Sequence, residues 1–399
     1  MVCSASFSLI KDMARKVLSF IGLSILLFSC LSQDKTQESV IDVGWSIVED
    51  SDRIALQDYY SHSHYVVISI PEEQPFYTAD KIQSGDGKYF LGDIDLENTI
   101  LIVDDQGQFI SQIETGGNGP GEVPRMEDFV FHPDRNSLLI LTGWKIFEFS
   151  TTGEFLNVIS LPSGDLFHFI AYGGENKVWL YTLPFPSEQL PSDEFRMLTL
   201  YDLDDDEKVY SYLEVPEGLR AEVSGEKELT LQHGRVILTP AHGSRAYSVS
   251  IKGDDSDYVI TRFSSLPQTQ NLFGLQDLGE YFEKLQDDRG IAFLDNYIDS
   301  EEFSLFMMIK DGLYPRWGVL EKRTNTLYLT QSLFDSNLGL PLLPYLDVQD
   351  KKVFKLLDSE YFYEILEQDI DGQVSGKLKA NVPQLMNQEN KLLLCIYEN

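Results

Sequence analysis

The chain has 399 residues, of which 64 are Asp or Glu and 31 are Lys or Arg, giving a formal net charge of −33. A field of that sign repels nucleic-acid phosphates and anionic lipid headgroups, which argues against nucleic-acid binding. The 20 Tyr and 24 Phe, with abundant Val and Ile, favour sheet over helix, in a chain long enough for one large core or two smaller ones.

The first element is an apolar run from Val17 to Phe28, preceded by Lys11, Arg15 and Lys16. It falls far short of the roughly 20 residues a helix needs to cross a bilayer. A basic flank before it and a small residue then Cys after it mark residues 1–29 as a signal peptide, with Met13 as an alternative start. Leu27-Phe28-Ser29-Cys30 resembles the bacterial lipobox, which implies cleavage before Cys30 and acylation of that residue. Phe28 is bulkier than that pattern prefers, and an ordinary signal peptide containing a Cys is the alternative. Residues 30–44 are polar and predict a flexible tether. Without residues 1–29 the chain carries 28 basic and 63 acidic side chains. Cys395, in the apolar stretch Leu392 to Tyr397, then has no internal partner and reads as a buried, inert thiol.

A repeat organises the rest. Thr99 to Val103, a turn at Asp104 to Gln108, and Phe109 to Ile113 recur as Lys145 to Phe149, a turn at Thr151 to Glu154, and Phe155 to Ile159. Val103, Gly107, Phe109 and Ile113 find their counterparts in Phe149, Gly153, Phe155 and Ile159. Each copy is two alternating strands about a Gly-containing turn, a hairpin signature. Looser copies follow at Met197–Tyr201 with Lys208–Leu213, at Ala246–Ile251 with Tyr258–Phe263, and at Phe303–Ile309, Arg316–Glu321 and Thr326–Thr330. The last is Lys352–Leu357 with Leu392–Tyr397. Meanders at this spacing predict an all-β, six-bladed β-propeller over residues 45–399, with units near 84–115, 127–161, 167–215, 227–264, 290–334 and 337–399. Tyr65–Ile70 and Leu392–Tyr397 are the strands expected to close it. A pair of β-sandwiches or a β-solenoid is the competing architecture. Short helical insertions are expected near 270–288 and 358–368, the second opening on Asp358 as a helix cap.

Candidate chemistry is sparse. The acidic run Asp202 to Glu207 and the Asp369-x-Asp371-Gly372 stretch read as solvated turns, because neither has the twelfth-position Glu of a calcium loop. His62 and His64 form at most a zinc half-site without an evident third ligand. No Gly-x-Ser-x-Gly nucleophile elbow occurs, and His242-Gly-Ser244 does not replace it. His132, Asp134, His168, His233 and His242 are the residues that could surround a divalent cation in a central channel, so a metal-dependent hydrolase or lyase is the alternative function. Trp144, Trp179 and the segment Tyr314-Pro315-Arg316-Trp317 are of the types that anchor a sugar or a partner protein, and Trp144, Tyr314, Arg316 and Trp317 are the candidate binding residues.

The stretch Ile113-Glu-Thr-Gly116-Gly117-Asn-Gly119-Pro120-Gly121-Glu122-Val123 has glycines that permit positive φ, a Pro that stiffens the turn, and a carboxylate free to accept backbone N–H bonds or face a channel. No Lys-Ser/Thr follows it, so it is architectural and no phosphate loop. This stretch, with Asp128-Phe-Val-Phe and Lys145 to Phe155, resembles the six-bladed β-propeller lipoproteins of Bacteroidetes, relatives of NHL-repeat propellers. The resemblance is specific over residues 84–160, and Asn390-Lys391 departs from the Asn-Pro that members carry before the last strand. It implies a lipid-anchored propeller on the periplasmic or surface side of the outer membrane, and no reaction; members often accompany carbohydrate-uptake systems. The expectation is a monomeric, non-catalytic binding or interaction module, held to a membrane through the lipid on Cys30, whose partner is a glycan or an envelope protein.

Overall fold

A computed structural model describes residues 39–399 except 75, 118, 120–121, 163–165, 183–195, 206, 215–227, 241–244, 252–258, 264–290, 311–313, 343–345, 359–360, 363, 366–372 and 383–390. Cys30, the expected signal peptide, the insertion expected at 270–288, His242, Pro120, Gly121 and the Asp369–Gly372 stretch lie outside the described residues.

The described residues are all-β apart from short helical pieces, and their strands form a propeller of up-and-down meanders. Sheets I (81–114), II (128–160) and III (169–214) each have four antiparallel strands. The two hairpins read from the repeat pair as expected. Both even carry the same irregularity, between Ile102 and Val103 in one and between Glu148 and Phe149 in the other. Gly107 and Gly153 close the two turns at φ 79° and 84°. A Cβ on Gly107 would stand 2.2 Å from the Val67 carbonyl oxygen, whereas one on Gly153 would meet the Ser111 hydroxyl at 3.0 Å. Gly107→Ala should therefore cost more than the roughly 1–2 kcal/mol of left-handed backbone alone, and Gly153→Ala about that amount, as read by urea denaturation.

Six separate blades were expected; the hydrogen bonding gives five sheets of four or more strands. The predicted units 227–264 and 337–399 are joined as one nine-stranded sheet, IV, because Leu231 and Gln232 pair in parallel with Gln349 and Asp350. The innermost strands Lys81–Gly85, Asp128–His132, Phe169–Tyr172, Leu229–Gln232 and Asp347–Asp350 follow one another in a closed circle of five. Sheet V (291–330) lies outside that circle, since the pairing of 231–232 with 349–350 takes the place its first strand would need. Two buried side-chain amides fasten it there. Gln232 donates from Nε2 to the Tyr297 carbonyl at 2.6 Å and accepts from the Asp299 N–H at 2.8 Å. Asn296 does the same for Leu346, at 2.6 and 2.9 Å.

The core sits between sheets. Ile100 and Ile102 of sheet I pack against Phe129, Leu138, Ile140 and Phe147 of sheet II, and the II–III interface repeats this arrangement with Leu139, Ile146, Ile170 and Leu180. Middle strands are thus buried on both faces, each large apolar side chain contributing about 1.5–3 kcal/mol.

The chain ends are tied in as expected: His62–Ser69 pairs antiparallel with Lys391–Glu398, placing Tyr65 opposite Cys395. Cys395 is buried in that strand, and burial pushes its thiol well above its ordinary pKa. The expected tether reaches too far, however. Its last residues, Ser39–Val43, form an outer strand parallel to Val259–Phe263, and Ile47–Asp50 adds likewise to Thr326–Leu329. Residues 361–362 and 364–365 are helical, as expected, and Asp358 accepts the Tyr361 N–H at 2.8 Å. The helix Gln373–Asn381 carries too weak an apolar pattern to be foreseen.

Candidate functional site

Every inner strand runs the same way, so the circle of five has one end where strands begin and another where they finish. At the first end a cavity of about 290 Å³ opens among Lys81, Asp128, His168, Phe169, Leu229 and Asp347. At the other lies a cavity of about 410 Å³ among Phe131, Gln349, Asp350 and Lys352; Gln83, Tyr172 and Leu231 line both.

The wall polar groups are bonded to one another. Lys81 Nζ meets both oxygens of Asp128 at 2.7 and 2.8 Å and reaches the Ile170 carbonyl at 3.3 Å. Asp128 is 2% exposed and also accepts the N–H groups of Phe129 and Ile170, each at 2.8 Å. One carboxylate thus joins the first strands of sheets I, II and III. The Gln349 amide spans sheets IV and I by pairing with both backbone groups of Ser84, at 2.6 and 3.0 Å. Tyr172 donates to Asp134 at 2.6 Å.

The predicted site residues are scattered. His168 lines the strand-start cavity, while His132 is buried edge-on to Tyr172 and His233 occupies a hairpin turn at φ 50°. His62 and His64 are exposed on the closing strand. Asp202 accepts the N–H groups of 204 and 205, and Asp204 holds Arg135 and Asn176, so the acidic run is a structural turn. Among the described residues no three His, Cys, Asp or Glu side chains gather as a metal-binding group. Trp317 is 2% exposed in the core and cannot serve as a stacking platform; Trp179 is buried too. Arg316 is half-buried, and of Tyr314 only the backbone is described, at the start of the strand Tyr314–Glu321. Trp144, at 60% exposed, is the candidate that meets solvent. In the glycine motif, Gly116 takes φ 94° and donates to Val123 O, while the Gly119 N–H donates to Glu122 Oε2 at 2.7 Å. A Cβ on Gly117 would stand 2.3 Å from that same oxygen. Glu122 thus folds onto its own loop, which serves as architecture between sheets I and II.

The sequence did not reveal the rim. Tyr77, Leu96, Trp144 and Leu166 are all exposed, and all stand in turns or connectors at the strand-start end. Asp95, Arg125 and Glu127 line the cavity beside them. An isolated apolar residue in a turn gives no periodic signal, so only the meander registers bring the four together.

Burial lowers the pKa of His168, and likewise that of His132 against the opposing bond to Lys177 O. Below the ordinary value of 6.5 the unfolded chain takes up protons that the folded one refuses. Stability should thus be full above that value and fall as the pH drops through it, lowering the melting temperature by several degrees on going to about pH 5. Burial raises the pKa of Asp93, so this carboxyl binds its proton more readily in the folded chain and opposes the loss at lower pH. A His132→Gln variant should show a flatter acid slope in a thermal-melt series.

Residues 38–397 match the family described as Domain of unknown function (DUF4934). A Bacteroides fragilis protein described as a candidate exported protein aligns over 90% of this chain and 100% of its own, with TM-score 0.66 and 14% identity, a likeness of fold. Streptogramin B lyase aligns over 74% of this chain and 81% of its own (TM-score 0.40, 12% identity). PorZ, a surface component of the type-IX secretion system of Porphyromonas gingivalis, does so over 73% and 36% (0.37, 10%). None of the curated proteins compared with the chain matches it.

Proposed function

The chain belongs to the DUF4934 family, and from its propeller and rim we propose that it is an exported, lipid-anchored module of the cell envelope that binds a partner without catalysis. In this reading residues 1–29 direct export, Cys30 carries the lipid, and a leash ahead of Ser39 holds the propeller at the outer membrane, as in the lipoprotein propellers related to NHL repeats. The reading is carried by a contrast between the channel walls and the strand-start end. Asp128 is committed to Lys81 and two N–H groups and Gln349 to Ser84, holding sheets together, while four large apolar side chains stand in solvent in turns and connectors at the strand-start end. Side chains held in such bonds position the sheets, and exposed aromatic groups are the usual anchors of an interface.

Two measurements test it. Radiolabelled palmitate should label the wild type and leave Cys30→Ala unlabelled and in the soluble fraction; a labelled Cys30→Ala chain refutes the anchor. The purified domain should turn over no ester or lactone in a chromogenic panel with added zinc or calcium; turnover abolished by a chelator supports a metal hydrolase instead.

A further inference from the structure

The strand-start mouth combines two features whose chemistry differs. Its cavity is lined by five carboxylates (Asp80, Asp95, Glu127, Asp128 and Asp347) against two permanent cations, Lys81 and Arg125. His168 does not offset them, since burial favours its neutral form. The chain's overall charge of −33 adds to this field, and concave low-dielectric walls concentrate it. The wall already seats one ammonium group: Lys81 Nζ lies between the Asp128 carboxylate, the Ile170 carbonyl and, at 5.9 Å, the Phe129 ring. At the same end of the circle, outside the cavity lining, stand the exposed side chains of Tyr77, Leu96, Trp144 and Leu166, with Leu96 directly following Asp95 of the lining. The Trp144 turn is tied to the connector that reaches the cavity at His168, because the Phe167 N–H donates to Gly143 O at 2.9 Å.

An acidic well with exposed apolar side chains at the same end suits a protein-docking surface with a charged centre, and charge complementarity sets what enters it. Resting on the binding-module reading, we propose that this mouth docks a polypeptide segment that inserts a Lys or Arg side chain into the well and lays flanking apolar residues on Trp144 and Leu96. A free organic cation would satisfy the well and leave the rim uncovered; a neutral glycan would have no use for the net negative lining.

The test uses the purified wild-type chain, with Trp fluorescence and calorimetry as readouts. The probes are the peptides acetyl-Phe-Leu-Arg-Leu-Phe-amide and acetyl-Phe-Leu-Gln-Leu-Phe-amide, with arginine amide as the small cation. The Arg peptide should bind at least about tenfold tighter than the Gln peptide, and rising salt should erode that preference. Asp95→Asn/Glu127→Gln, at positions that are not deeply buried, should reduce the preference to about threefold or less without altering the melting temperature. Trp144→Ala should weaken the Arg peptide about tenfold and leave arginine amide unchanged. Equal binding of the two peptides, binding of arginine amide as tight as the peptide, or no binding of the Arg peptide to folded protein overturns the proposal. If a neutral oligosaccharide instead quenches Trp144, the occupant is wrong while the binding module stands. If the peptide is cleaved, the non-catalytic reading itself fails.

Discussion

Lys81→Met will lower the unfolding free energy by about 3–5 kcal/mol, because it strands a carboxylate with almost no access to water. Asp128 is 2% exposed, and after the substitution it keeps only the N–H groups of Phe129 and Ile170. Two backbone dipoles cannot replace the ammonium that now faces both its oxygens. Asp128→Asn should cost less, about 1–3 kcal/mol, since Lys81 is 15% exposed and can turn its charge toward the cavity. The double variant should fall short of the sum by more than about 1 kcal/mol, the mark of two groups that need each other. Urea denaturation of the four proteins at one pH supplies the cycle. A Lys81→Met cost under about 1 kcal/mol would show that sheets I, II and III are not joined through this pair.

The second large effect lies at the seam of sheet V. Asn296 is 1% exposed, sits at φ 49°, and exchanges two hydrogen bonds with the backbone of Leu346. Asn296→Ala leaves a buried N–H and a buried C=O without partners, at about 1–3 kcal/mol each, and strains a left-handed backbone position. A total of about 3–5 kcal/mol is expected. Asn296→Gly has no Cβ to strain, so it should be milder by about 1 kcal/mol, and that difference isolates the backbone contribution. Asn296→Asp should be no better than Ala: its carboxylate still accepts from Leu346 N–H but is forced against the Leu346 carbonyl. Equal stability of the Asn, Asp and Ala proteins would mean that the Asn296–Leu346 bonds do not fasten sheet V.

The meanders were legible because a strand's alternation and a turn's Gly are local signals. Gly107 and Gly153 announced their hairpins, and the two strands expected to close the ring do pair, with Tyr65 opposite Cys395. The blade count was not legible. Nothing in Leu231-Gln232 or Gln349-Asp350 marks them as parallel neighbours, and Asn296 and Gln232 look like any polar residues of a strand. Long-range pairing of short segments depends on what the rest of the chain leaves open. The candidate site was half legible: Trp144 proved exposed, while Trp317, with the same composition cues around it, faces the core. Burial of a single aromatic depends on the partner sheet, which no local pattern encodes.

The two strands at the N-terminal side bear on mechanics. Ser39–Val43 is held to Val259–Phe263 along five parallel register pairs, and with Val40 and Ile41 about half exposed the attachment rests on main-chain bonds, the Asp42–Arg262 ion pair and Val43 packed on the core. Any pull transmitted through the residues ahead of Ser39 meets this strand before it reaches a blade interior. Along the strand axis the bonds are loaded in shear and resist together; at right angles they would give way in succession, like a zip. The N-terminal strand is therefore a buckle whose strength depends on the direction of the force, and Ile47–Asp50, clasped to the neighbouring sheet, is a second one behind it.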